Sequence, residues 1–458
     1  MHSDRNLGGP MSTITRLFLT CTTALLAVAA CTYEPNPNYC PGRNADNDCT
    51  QPPYDAPPGG CTSNTECSAP TPVCDVAGTK TCVQCVAPDQ VDACTGANPV
   101  CGDDHACRRC AAHMECASEA CLPDGSCGTE VAYVDPDGTD NAMCTQAMPC
   151  TRVSKALATG RRFVKLKGTT DEAVSVNGEE VTFLADPGAK LTRSNNGLLL
   201  EIRGASNVRI FDLEISGASG AGNPGISMPA GNTATVSLTR VKLLNNAGGG
   251  ISASGGALTI AQSTISNNAG GISATGGALT VSQSTIANNA GGGISASNGA
   301  TFAIVGNVFF NNGTQLGTVG GVSISTTQNA ANRLEFNSFN KNQAQDTVGC
   351  AVSCLAGTFT ARNNIMSGNA TATNMLQVSG SCQHAYSIAR PGPLPPGTGN
   401  SAEDPLFANT TTGDLHIPAG SPAMRAADPG SDLAGIAARD IDGDARTSPA
   451  DIGADHRP

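Results

Sequence analysis

The sequence predicts an all-β chain, a right-handed parallel β-helix preceded by a small disulfide-rich module. Three observations lead there. The centre repeats itself about every 21 to 23 residues, marked by the pairs Asn245-Asn246, Asn267-Asn268, Asn288-Asn289 and Asn311-Asn312. Apolar residues keep the same beat: Leu238, Ile260, Val281 and Ile304; Leu243, Ile265, Ile286 and Phe309; Ile251, Ile272, Ile294 and Val322. Twelve cysteines crowd into the 67 residues from Cys61 to Cys127.

Each central unit joins short β-branched runs such as "ALTV" and "STIA" through Gly, Asn and Ser, which are turn residues. No 3.6-residue period is long enough for a helix. A unit of this size reads as one coil of a solenoid. Coils stacked at the strand spacing of about 4.8 Å put equivalent side chains above each other. Apolar positions then form inward stacks. Asn246, Asn268, Asn289 and Asn312 are expected to form a ladder of amides, as stacked asparagines do in cross-β structures. The competing expectation places the pairs on exposed turns, where Asn tolerates positive φ. The pattern lacks the leucine spacing of leucine-rich repeats and the six-residue beat of a left-handed helix. Less regular coils are expected at 207–217, 332–342 and 361–369, within a domain running from residue 131 to 458.

The cysteine block, residues 61–130, has too little apolar content to hold a core by itself. Its cysteines group by spacing as Cys67, Cys74, Cys82 and Cys85; Cys94, Cys101, Cys107 and Cys110; and a shorter Cys116, Cys121 and Cys127, with Cys61 ahead. The CxxC pairs Cys82/Cys85 and Cys107/Cys110, with His105 and His113 nearby, admit zinc or redox readings. Export favours disulfides throughout.

Export is read from "MSTITRLFLTCTTALLAVAAC". Arg16 precedes an apolar run, Leu17 to Ala30, too short to span a bilayer comfortably. Residues 1–30 are expected to be a signal peptide starting at Met11. Val28-Ala29-Ala30-Cys31 resembles a bacterial lipobox, which implies a lipidated Cys31. Residues 31–60, rich in Pro and Asn, read as a tether. The formal charge of −12 argues against a nucleic-acid partner.

Two end segments carry a resemblance. "YVDPDGTDNAMCTQAMPCTRVSKALATG" (133–160) resembles the opening of bacterial pectate-lyase-like β-helix proteins, and implies a capping loop leading to a short helix at about Thr151–Ala158. "EDPLFANTTTGDLHIPAGSPAMRAADPG" and "RDIDGDARTSPADIGADH" resemble their closing segment, and imply a C-terminal cap at 403–455. The resemblance spans 131–455 and implies fold and surface location, since such proteins range from polysaccharide lyases to chains of no assigned chemistry. With Cys144 and Cys150 in the capping loop, it also implies that these two pair. Cys350, Cys354 and Cys382 then make an odd set, with Cys382 expected to pair with one of the others.

Chemistry is thinly signalled. From Ile215 to Leu334 there is no Asp or Glu, and the only charges are Arg240, Lys242 and Arg333. Hydrolases need two carboxylates about the scissile bond. Asp212 and Glu214, expected on one strand face with Arg203 and Glu201 one segment earlier, are the catalytic or calcium-binding candidates; the plainer reading is a solvated face. Asp440, Asp442 and Asp444 have calcium-like alternation but depart from EF-hand order. His384 and His416 look isolated and structural. Only Tyr133 and Tyr386 remain as Tyr or Trp after the tether, so no aromatic sugar platform is visible. The sequence therefore favours a non-catalytic surface lipoprotein at the bacterial outer membrane, structural, adhesive or glycan-contacting, with cell-surface polysaccharide or another surface protein as partner. The alternatives are a polysaccharide lyase or glycoside hydrolase, and a ligand-binding Cys-rich module.

Overall fold

A computed structural model describes residues 60–87, 93–326, 329, 331–393 and 395–457. The expected signal peptide, Cys31 and nearly all of the tether lie outside the described residues. The chain divides into two compact units, Met1–Cys82 and Val83–Pro458. Among the described residues no helix is long and apolar enough to cross a membrane.

The second unit is built on three parallel sheets of eleven, nine and ten strands. The first, sheet 1, runs from Val131–Val134 to Gln383–Ala385. Sheet 2 runs from Val174–Asn177 to Val378–Gly380, and sheet 3 from Thr169–Asp171 to Ile388–Arg390. The chain visits the three in turn, once per coil. Register follows the sequence beat: Leu238 pairs with Ile260, Ile260 with Val281 and Val281 with Ile304 on sheet 1. Leu243, Ile265, Ile286 and Phe309 stack on sheet 3. Ile251, Ile272, Ile294 and Val322 stack on sheet 2. All twelve are buried, and each contributes about 1.5–3 kcal/mol of transfer free energy. The stacks include the parallel Phe309 and Phe339 rings, 4.6 Å apart.

The two members of each asparagine pair have different jobs. The first lies in the left-handed region: Asn245, Asn267, Asn288 and Asn311 have φ of 53–57°. The second is buried and forms the ladder. Asn268 Oδ1 accepts from both the backbone N–H and the side-chain amide of Asn246, each at 3.0 Å. Its own amide donates to Leu243 O at 2.9 Å and Asn289 Oδ1 at 3.0 Å. The ladder continues through Asn312, Asn342 and Asn369, and Gln377 takes its last amide. A second ladder runs through Ser284, Asn307, Asn337, Asn364 and Ser387 to Asn400.

At the N-terminal end Val153–Leu157 forms the capping helix, with Val153 and Ala156 buried. Cys144 and Cys150 are joined, Cα atoms 4.9 Å apart. At the other end Cys354 pairs with Cys382, and Cys350 is a buried thiol outside any disulfide. The cysteine block corrects the expected grouping. Bonds run Cys61–Cys74 and Cys67–Cys82, Cys85–Cys101 and Cys94–Cys107, Cys110–Cys121 and Cys116–Cys127. Each unit thus links its first cysteine to its third and its second to its fourth. The CxxC pairs straddle unit boundaries, and their members belong to separate bonds.

The expected C-terminal cap also needs correction. Only a short stretch stacks on the last coil, where Ser401 bridges Ile388 and Asn400 serves Ser387. Residues 403–457 instead lie as a strap along the outer face of sheet 3, and Asp428 and Asp432 reach Arg362 and Arg333 of sheet 1. Outward residues there turn apolar in the later coils, and the strap covers them. Val308 and Phe310 pack with Leu415 and Ala454. Ile365 and Ile388 pack with Ile417 and Ile452. The two preceding coils have Thr264 and Thr285 at the same register.

His384 is structural but not fully satisfied. It is 2% exposed, and its Nδ1 has no hydrogen-bond partner. Burial holds its pKa down at about 4. The unfolded chain, with an ordinary imidazole near 6.5, therefore binds more protons in between. Stability is intact above about pH 6.5 and falls by about 3 kcal/mol as the pH drops to about 4. His384→Leu should flatten this part of the urea-midpoint profile between those pH values. An unchanged slope would show that another group carries it.

Candidate functional site

The turn between sheets 1 and 3 holds one residue per coil in the left-handed region: Asp212, Arg240, Gln262 and Gln283, with φ of 64°, 55°, 53° and 48°. Stacking sets these turns about 4.8 Å apart, one rung per coil. They form the floor of a groove. At one end the floor meets the third cysteine unit, where a cavity of 1080 Å³ is lined by His113, Met114, Leu184, Phe211, Asp212 and Arg240. At the other end the strap forms the wall, and 500 Å³ lies between Gln262, Thr264, Thr285, Leu415, His416 and Asp442. Arg240, Gln262 and Thr264 line both cavities, so the groove is continuous.

The walls are fixed by ordinary packing. Ala120 of the cysteine unit is buried with Val131 and Leu184. The Tyr133 hydroxyl donates to Ser118 O at 2.5 Å. His113 Nδ1 accepts from the Cys121 N–H at 3.1 Å. Burial, helped by the charge of Lys165, pulls the His113 pKa down, so it enters the groove wall as a neutral ring. Lys165, nearly fully buried, is held in an ion pair with Asp186. Burial lowers its pKa despite that partner.

On the floor Arg240 grips Asp212 through two hydrogen bonds, 2.6 and 2.8 Å. That contact raises the Arg240 pKa and fixes the guanidinium plane. Lys242 is exposed and lines the same cavity. Among the described residues no salt bridge engages it. The floor therefore offers a fixed cation, an exposed lysine next to Glu214 of the preceding coil, amides and hydroxyls.

The catalytic candidates do not assemble as expected. Asp212 is a turn residue, not a strand residue, so alternation does not place it beside Glu214. Glu214 lies on sheet 3, bound by Ser216 at 2.8 Å and Lys190 at 3.1 Å. Arg203 lies on sheet 2 and pairs with Glu201 at 2.7 Å. Of the set, only Asp212 reaches the groove. What sequence reading missed is Arg240, its partner one coil on. The signal was available: Arg240 stands one coil after Asp212, at the same place before a short strand.

The calcium candidates diverge as well. Asp440 is fully buried and accepts three backbone N–H groups, from Asp442, Asp444 and His456. Its oxygens are committed to shaping the loop. Asp444 is exposed. Asp442 instead meets His416 Nε2 at 2.8 Å. His416 is thus not isolated: Asp414 takes its Nδ1, and Asp455 lies close. Burial opposes protonation of His416, but Asp414 and Asp442 outweigh it and raise its pKa. Behind them Arg446 is buried with its guanidinium over the Phe336 ring at 4.7 Å. Burial lowers its pKa to about 10, so it stays charged at neutral pH.

One comparison with known proteins bears on the architecture. Residues 224–388 match the family model described as the right handed beta helix region. No curated protein matches the chain. A solved structure, the crystal structure of pectate lyase Pel9A, is 13% identical with a TM-score of 0.46, over 72% of this chain and 97% of that one. From its own stacked sheets and the matched segment, the chain is an all-β right-handed parallel β-helix protein preceded by a disulfide-bonded module.

Proposed function

We propose that the chain is an exported, lipid-anchored β-helix that binds an extended acidic polysaccharide at the cell surface, along the groove over Arg240, Lys242, Gln262 and Thr264. The observation that carries this reading is the chemistry of the floor. Arg240, oriented by Asp212, and the exposed Lys242, register neighbour of Glu214, stand among amides and hydroxyls suited to polyhydroxylated ligands. The groove runs without a break past four successive turns, from Asp212 to Gln283, as an extended ligand requires. Anchoring rests on the lipobox-like Val28-Ala29-Ala30-Cys31 ahead of a Pro-rich tether.

A second reading, polysaccharide cleavage, draws on the Asp212–Arg240 pair inside the groove. A fixed cation can stabilise a uronate's developing charge, and a carboxylate can shuttle a proton. The third cysteine unit serves either reading as a wall.

One experiment addresses both halves. Cells displaying the chain should bind labelled polygalacturonate. Cys31→Ala should lose binding on cells and keep it in the released protein. Lys242→Glu should lose about tenfold or more in both, equivalent to about 1.4 kcal/mol. Binding untouched by Lys242→Glu would rule out the groove, and binding retained on Cys31→Ala cells would rule out the anchor. Unsaturated products that appear with the wild type and vanish with Asp212→Asn would replace the binding reading with a lyase.

A further inference from the structure

The strap holds a group that the groove reading does not use. His416 comes from the hairpin closed by Asn409 and Asp414, Asp442 from the loop closed by Arg439 and Ala445, and Asp455 from the end of the strap. The fold brings these three segments together, and one donor atom from each lies within 4.8 Å of the others.

We propose that His416, Asp442 and Asp455 form a zinc site that pins the strap at the rim of the groove. Three features favour it. The first is the imidazole's orientation. Asp414 occupies Nδ1 and also accepts the His416 backbone N–H at 3.2 Å. A carboxylate on one ring nitrogen fixes the tautomer and turns the other nitrogen toward a metal, as in carboxylate–histidine–zinc arrangements. Here Nε2 is that nitrogen, and it faces Asp442 Oδ2 at 2.8 Å. The second is donor capacity. Asp455 Oδ2 accepts one bond, from the Ile417 N–H at 2.8 Å, which leaves Oδ1 for a cation. The third is charge. Asp414, Asp442 and Asp455 surround a single imidazole, and Asp455 is buried with Asp440 and Asp442 near it. Even a protonated imidazole leaves the group negative. Arg446, buried and attracted by the charges of Asp440 and Asp455, donates only through Nη2, to the carbonyls of Gly453 and Ala454, and among the described residues forms no ion pair with the trio.

The donor set selects the metal. One nitrogen and two carboxylates suit Zn²⁺ with an open fourth position. Calcium wants six to eight oxygens and gains little from an imidazole. His416 and Asp442 are exposed, so the ion has a path from solvent. The metal would replace the His416–Asp442 hydrogen bond and draw Asp455 inward. The site stands independently of what the groove binds.

The test is calorimetric titration of the metal-stripped full-length chain with zinc chloride and, separately, calcium chloride. We expect saturable uptake of one Zn²⁺ lost on His416→Gln and on Asp442→Asn. Asp414→Asn should weaken it about 10- to 100-fold, because it frees the ring without removing a ligand. Asp444→Asn, in the same loop but outside the trio, should bind like wild type. Cobalt loaded in place of zinc should give visible absorption that Asp442→Asn abolishes, a readout that does not depend on melting behaviour. Absence of zinc uptake, equal uptake by Asp442→Asn, or calcium binding as tight as zinc would overturn the proposal.

Discussion

Asn268→Asp should lower the unfolding midpoint of the chain more than any conservative change on the surface of the same coil. The native amide donates to Leu243 O and Asn289 Oδ1. Aspartate puts an oxygen there, against two acceptors, at a position only 2% exposed. Either a charge is buried without a partner or the carboxyl is forced to keep its proton. Breaking a buried polar partnership in this way costs about 3–5 kcal/mol. Asn268→Leu should cost somewhat less, about 1–3 kcal/mol for each orphaned group. The neighbouring residue supplies the control. Asn267 is exposed with φ of 57°. Asn267→Gly should move the midpoint little, and Asn267→Val should cost about 1–2 kcal/mol by forcing a β-branched residue into the left-handed region. Thermal unfolding of the four variants separates the two roles. Equal effects at 267 and 268 would mean that the division between turn and ladder is wrong.

Asp440→Ala should free the strap without melting the β-helix. It strips the acceptors from three backbone N–H groups in one step. At about 1–3 kcal/mol for each unsatisfied donor, the loss exceeds what a local segment can absorb. Arg446, buried nearby, would also lose a favourable charge. Limited proteolysis should then cut within 403–457 at rates at least tenfold above wild type, while the β-sheet circular dichroism persists. Asp440→Asn retains one carbonyl oxygen for the Asp442 and Asp444 N–H groups and should fall between. Wild-type resistance of the alanine variant would show that apolar contacts alone hold the strap.

The solenoid was legible because its determinants are local and repeat. The three apolar stacks can be read from the beat, and the register follows them residue by residue. The ladder was legible only where both asparagines of a pair were present. Asn342 and Asn369 continue it, but Lys341 and Gly368 hold the left-handed position there (φ of 57° and 72°), so the doublet disappears. The second ladder escaped because its steps stretch to 30 residues between Asn307 and Asn337 as loops lengthen. Spacing alone frames the cysteine units one position late, since it shows a repeat but not where it starts. The groove was the least legible part. Its walls come from segments far away in sequence, and no spacing argument brings His416 to the coil of Thr285. One trace did exist: Val308 and Phe310 are large and apolar where the two preceding coils carry Thr, Ser or Ala, which signals that something distant covers them.

The ladder has a direction, and that gives the rod a free length. Every rung presents an acceptor to the coil before it and a donor to the coil after it, so neighbouring coils are interchangeable at the joint. The coils between the two walls, around residues 240 to 285, are also the most alike in sequence. Duplicating one of them inserts about 4.8 Å of floor and adds one more bonded rung, with no new chemistry at either end. The reach of the groove is therefore set by copy number alone. A lineage could lengthen or shorten its grip on a polymer by unequal exchange of one short stretch of DNA, while the ends that close the rod stay untouched.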